Sequence, residues 1–125
     1  MSKLIIEGGK PVSGTHRVSG NKNAALPMIA AALLADEPVT VTNLPDIEDV
    51  ASMLEAAESF GAEVVRDRKG AAVTITARRL KSAAVTAELA AKIRASFLFA
   101  GPLLARLGRA SLPPPGGDAI GHRRL

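Results

Sequence analysis

The sequence predicts a mixed α/β (α+β) domain, on three observations. Residues 38–43 alternate Val39 and Val41 with Thr40 and Thr42, the period and composition of a strand. Ile47, Val50, Leu54, Ala57 and Phe60 recur at helical spacing and mark one apolar stripe. Asp67-Arg68-Lys69-Gly70 is a turn between residues 62–66 and 72–77, which read as the two arms of a hairpin.

Taken in order, residues 3–6 read as a short strand followed by a Gly8-Gly9 turn. Residues 12–18 read as a second extended stretch with Gly14 inside it. Ser19-Gly20-Asn21 punctuates the chain before a helix over 23–35. That run is apolar almost all round, which predicts a buried helix. Pro27 falls in its first turns, where a missing N–H costs least. The strand over 38–43 ends at Leu44-Pro45-Asp46, with Asp46 placed to cap the next helix and Asp49 to add negative charge in its first turn. Gly61 suits the C′ position of that helix. After the hairpin and a connection over 78–85, Thr86 can cap a helix running from Ala87 toward Leu107. Glu88 lies in its first turn, Gly101-Pro102 kinks or breaks it, and Gly108 ends it. Residues 112–121 are a loop. The order is β-β-α-β-α-β-β-α-loop, and no linker or low-complexity segment divides it. Gly-bearing loops at 14–20 and 116–121 hint at a repeated unit that 125 residues do not establish.

Composition narrows the function. Of 125 residues, 47% are hydrophobic and 22% charged, as in a globular domain. With three Phe and no Trp or Tyr, the chain lacks the stacking platforms of single-strand nucleic-acid binders, so no nucleic-acid partner is expected. Without Cys, disulfides and thiolate metal sites are excluded, and His16 and His122 are too far apart to suggest zinc. The N-terminus lacks the shape of a signal peptide. The apolar run 24–35 is shorter than the roughly 18 residues that cross a bilayer. A cytoplasmic protein with no membrane partner fits these features. The net charge of +4 favours anionic partners. Arg106, Arg109, Arg123 and Arg124 crowd the last twenty residues, either as a solvated basic tail or as a site for phosphates or carboxylates.

Three constellations could carry chemistry. In Ser19-Gly20-Asn21-Lys22-Asn23, a helix N-terminus collects unpaired N–H groups and positive partial charge. Lys22 is unfavourable there by roughly 0.3–1 kcal/mol, a penalty that a bound anion would reverse. Asn23 adds amide donors. The alternative is a surface Lys beside an Asn cap. Arg94 lies among Ile93, Ala95, Phe97 and Leu98. If partly buried, it needs an acceptor, either an acid such as Glu88 or a ligand phosphate. In the loop Pro115-Gly116-Gly117-Asp118-Ala119-Ile120-Gly121-His122-Arg123, Asp118 could act as acid or base and Arg123 could grip an oxyanion with both prongs. The alternative is an ordinary surface loop. No Gly-Lys-Ser/Thr follows, so it is not a P-loop.

Together these stretches resemble one family. Residues 19–27, Ser-Gly-Asn-Lys-Asn-Ala-Ala-Leu-Pro, are similar to its N-terminal signature. Ile93-Arg94-Ala95-Ser96 with Gly101-Pro102-Leu103-Leu104-Ala105-Arg106-Leu107-Gly108 is similar to its third helix, and Pro115-Gly116-Gly117-Asp118-Ala119-Ile120-Gly121 to its mobile catalytic loop. The family is UDP-N-acetylglucosamine 1-carboxyvinyltransferase, and the resemblance covers essentially the whole chain in order.

The resemblance implies an inverted α/β barrel built from βαβαββ units. Residues 1–21 would be strands belonging to the second domain. Residues 22–125 would be part of the catalytic domain, ending in the active-site loop. It implies transfer of enolpyruvyl from phosphoenolpyruvate to the 3′-hydroxyl of UDP-N-acetylglucosamine with release of phosphate, opening peptidoglycan synthesis. An acid protonates the methylene carbon while the hydroxyl attacks its neighbour, and phosphate then leaves; the resemblance implies no metal or organic cofactor. Lys22 and Asn23 would hold phosphoenolpyruvate, Arg94 the nucleotide sugar, and Arg123 substrate anions. Asp118 would be the proton donor, a position that is Cys in many members. Cys members are alkylated there by fosfomycin, so Asp118 implies resistance. Pro113, Pro114 and Arg124 depart from the family pattern around this loop. Members are several times longer, so the chain alone is expected to be an inactive fragment, with exposed apolar surface that invites self-association. The rival readings are a shikimate 3-phosphate enolpyruvyl transferase and a non-catalytic binding module on the same scaffold.

Overall fold

A computed structural model of the chain describes residues 3–67 and 71–116. Its elements are α1 (Lys22–Ala32), β1 (Val39–Val41), α2 (Glu48–Ser59), β2 (Glu63–Asp67), β3 (Ala72–Thr76), α3 (Ala87–Lys92), a 3-10 segment (Arg94–Phe99) and α4 (Ala100–Leu107). Among the described residues the strands form one antiparallel sheet in the order β1-β3-β2, with Val39 opposite Ile75 and Val64 opposite Ile75 on its two ladders. Alternation turns Val41, Val73 and Ile75 into the core and leaves Thr40 at the surface. Helices cover the inner face. Phe60 of the α2 C-cap and Phe99 meet edge-on with ring centroids 5.0 Å apart. Around them Ile29, Leu33, Met53 and Leu103 are fully buried.

Several expectations hold. The helical stripe buries Val50, Leu54, Ala57 and Phe60, though Ile47 at its start is exposed, and the hairpin forms within a residue of the expected bounds. Gly61 takes φ 102° and Gly108 φ 67°, the left-handed conformations that a C-terminal glycine allows. Thr86 caps α3, its hydroxyl accepting from the Leu89 N–H at 3.3 Å.

Others are corrected. Residues 3–20 form neither helix nor strand, and Leu4, Ile5, Ile6, Val12 and Val18 are exposed. A strand exists through its ladder, and among the described residues nothing pairs with this segment. The first helix ends at Ala32 rather than at residue 35 and is not buried all round: Met28 is 50% exposed, and Leu34 just beyond the helix is 52% exposed. Ile47, not Asp46, stands at the cap of α2, without a side-chain bond. The Ile47 N–H donates to the Pro45 carbonyl at 3.1 Å, so a turn intervenes before helical geometry begins. The expected long helix breaks at Ile93, which is extended at φ −145°, rather than at Gly101-Pro102. Pro102 falls in the first turn of α4, where it interrupts no established helix.

Candidate functional site

The loop before α1 is placed by a backbone contact. A Cβ on Gly20 would fall 1.7 Å from the Asn43 carbonyl oxygen, so only glycine fits. Asn43 itself has φ 56°, and the Leu44 N–H next to it donates to the Ala71 carbonyl at 2.8 Å. The loop between β1 and α2 is thereby pinned to the start of β3, and the loop before α1 is pinned to it in turn.

This arrangement brings two helix N-termini together. Lys22 is the first residue of α1 and Asp49 the second of α2, and their side chains form an ion pair. Lys22 remains 54% exposed and Asp49 28%. The carboxylate lies beside the positive pole of its own helix and offsets the Lys charge at the pole of α1.

The expectation of unpaired N–H groups at this terminus is revised. The Asn21 carboxamide oxygen accepts from the Asn23 N–H at 2.7 Å and from the Ala24 N–H at 3.3 Å. Two of the first-turn N–H groups are thereby occupied, and the side chains of Lys22 and Asn23 lie exposed beside them.

Arg94 opens the 3-10 segment and is half-buried, and that segment packs against α1 and α2. Glu88, the acid considered as a partner for it, pairs with Lys92 at 3.6 Å. Asp118 and Arg123 lie outside the described residues, as does Arg124. The stem before them is fixed: the Gly116 N–H donates to the Ala90 carbonyl at 2.7 Å, and a Cβ on Gly116 would fall 2.2 Å from the Ala91 carbonyl oxygen. The stem of the Gly-rich loop thus rests on α3, three residues before Arg94. No strand forms over 112–116, and Ser111 makes a single parallel bridge to Ala84.

Arg106 has a structural role. Its guanidinium donates to the Leu33 carbonyl at 3.0 Å, to Ala77 at 2.9 Å and to Arg78 at 3.3 Å. It ties the end of α1 to the end of β3. Sequence reading passed over Asp49 as a partner of Lys22, since the two are adjacent only in the fold. A cleft of about 160 Å³ beside Leu44, Ile47, Arg66 and Asp67 includes none of the predicted site residues. Among the described residues no group of three or more His, Asp or Glu could hold a metal ion, and no helix is long and apolar enough to cross a membrane.

A family model described as EPSP synthase (3-phosphoshikimate 1-carboxyvinyltransferase) matches residues 6–124. The chain belongs to the EPSP synthase family. The family chain is 54% identical over 125 residues to a UDP-N-acetylglucosamine 1-carboxyvinyltransferase of Treponema denticola and 58% identical over 125 residues to one of Treponema pallidum. It is 50% identical over 123 residues, 98% of its length, to one of Bradyrhizobium diazoefficiens. It covers all of its own length in the first two matches but spans only 29% of those relatives. The crystal structure of the enolpyruvyl transferase NikO from Streptomyces tendae matches with TM-score 0.71 and 33% identity, over 82% of this chain and 24% of that one. The enolpyruvyl-transferase fold of this EPSP synthase family member thus rests on sequence and on shape.

Proposed function

We propose that the chain supplies the phosphoenolpyruvate corner of an enolpyruvyl transferase acting on UDP-N-acetylglucosamine, the first step of peptidoglycan synthesis. The observation that carries this is the 54–58% identity along all 125 residues to relatives of that name. In this reading Lys22 and Asn23 hold phosphoenolpyruvate, Arg94 holds the nucleotide sugar and Arg123 grips substrate anions. The Asp118 carboxyl protonates the methylene carbon as the 3′-hydroxyl oxygen bonds to its neighbour and gives up its own proton to water. The C–O bond to phosphate then breaks, and loss of a methyl proton to water restores the double bond as an enol ether. Residues 1–21 belong with a second domain and 22–125 with the catalytic one. The exposure of Leu4, Ile5 and Ile6 supports a covering partner for that first segment. A cytoplasmic location suits soluble anionic substrates.

Asp118 in place of a thiol makes the enzyme resistant to fosfomycin, because a carboxylate is the weaker nucleophile toward its epoxide. A specific observation favours one second reading: the matching family description names 3-phosphoshikimate 1-carboxyvinyltransferase. Calorimetric titration of the purified chain with UDP-N-acetylglucosamine and with shikimate 3-phosphate separates the two. Preference for the nucleotide sugar, weakened by Arg94→Ala, is the expected result. Preference for shikimate 3-phosphate overturns it.

A further inference from the structure

We propose that Asp49 is a displaceable counter-ion of Lys22 that competes with the phosphate of the ligand and so limits how tightly the site holds any anion. The inference rests on the reading of Lys22 as a phosphate-binding residue.

The pair joins the first turns of two separate helices, held in place by the Gly20–Asn43 contact. Asp49 is therefore at Lys22 before any ligand arrives. The pair is open to water rather than sealed in the core, with 54% and 28% of the two side chains exposed. An exposed pair of this kind exchanges partners at little cost. An anion that reaches Lys22 either displaces the carboxylate or binds beside it against its repulsion. Both routes weaken binding. The α1 backbone offers little compensation, because the Asn21 side chain already occupies the Asn23 and Ala24 N–H groups. For a transferase that discharges inorganic phosphate at each turnover, such a carboxylate favours emptying of the site.

The alternative is that Asp49 only orients Lys22 for the ligand. The two roles give opposite signs. Removing a competing negative charge strengthens anion binding, and Coulomb repulsion scales with the charge on the ligand. A dianion must then gain more than a monoanion. Removing an orienting group weakens both.

The experiment titrates the 125-residue chain with methyl phosphate, a dianion at pH 8, and with dimethyl phosphate, a monoanion. Binding is followed through the backbone amide resonances of Asn23 and Ala24 at low ionic strength. Asp49→Asn should tighten methyl phosphate about tenfold and dimethyl phosphate about threefold, and Asp49→Glu should restore the wild-type constants. Asp49→Ser, whose hydroxyl can still serve the first turn of α2, carries the same prediction should the Asn variant fold poorly. Weaker or unchanged binding of both ligands in the neutral variants overturns the inference while the Lys22 site stands. Wild-type binding that is absent, or that Lys22→Gln does not reduce, overturns both the inference and the phosphate reading of Lys22.

Discussion

Gly20 and Asn43 touch through their main chains, the carbonyl oxygen of Asn43 filling the space where a Gly20 side chain would begin. The contact crosses from the loop before α1 to the loop before α2, and it sets the distance between Lys22 and Asp49. Gly20→Ala should therefore separate the two helix starts. The expected cost is about 2 kcal/mol or more in urea unfolding, as for an overpacked core position, together with loss of the Lys22–Asp49 contact in side-chain NMR.

Arg106 reaches three carbonyls from one planar group. Replacing it with Leu leaves those acceptors without their charged donor and should lower stability by about 2 kcal/mol in the same unfolding experiment. Arg106→Lys should recover less than half of the loss, because a single ammonium cannot span acceptors on α1 and after β3 together.

Gly116 lies against the last turn of α3 with no room for a methyl group. Gly116→Ala should break the bond from its N–H to the Ala90 carbonyl. Amide exchange of residue 116 is expected to accelerate about tenfold, which corresponds to a lost bond of about 1.4 kcal/mol. The core should be little affected, so the melting temperature should move only slightly.

Met28 on α1 and Leu34 just beyond its end expose about half of their surface. If this surface drives self-association, Met28→Glu with Leu34→Glu should shift the sedimentation coefficient toward the monomer at high concentration. Stability should change by about 0.5 kcal/mol per site at most, as at ordinary surface positions.

The hairpin and the stripe on α2 were legible because they are local: Val73 and Ile75 alternate within one strand, and Val50, Leu54 and Ala57 recur within one helix. Lys22, Asn23 and Arg94 stood out through residue type and setting, and their family roles through resemblance. What could not be read depends on contacts between distant segments. Arg106 meets Leu33 across 73 residues, so its guanidinium looked available for an anion. The break at Ile93 carries no glycine or proline signal, whereas Gly101-Pro102 carries both and breaks nothing. Gly20 read as turn punctuation because its neighbour Asn43 belongs to another loop.

The Thr40 and Thr74 hydroxyls lie 2.9 Å apart on the outer side of the sheet, where Val65 is also open to water, while Met28, Phe97 and Leu104 stand open on the helical segments. A phenyl-bearing resin should therefore retain the chain, and Met28→Glu with Leu104→Glu should shorten that retention.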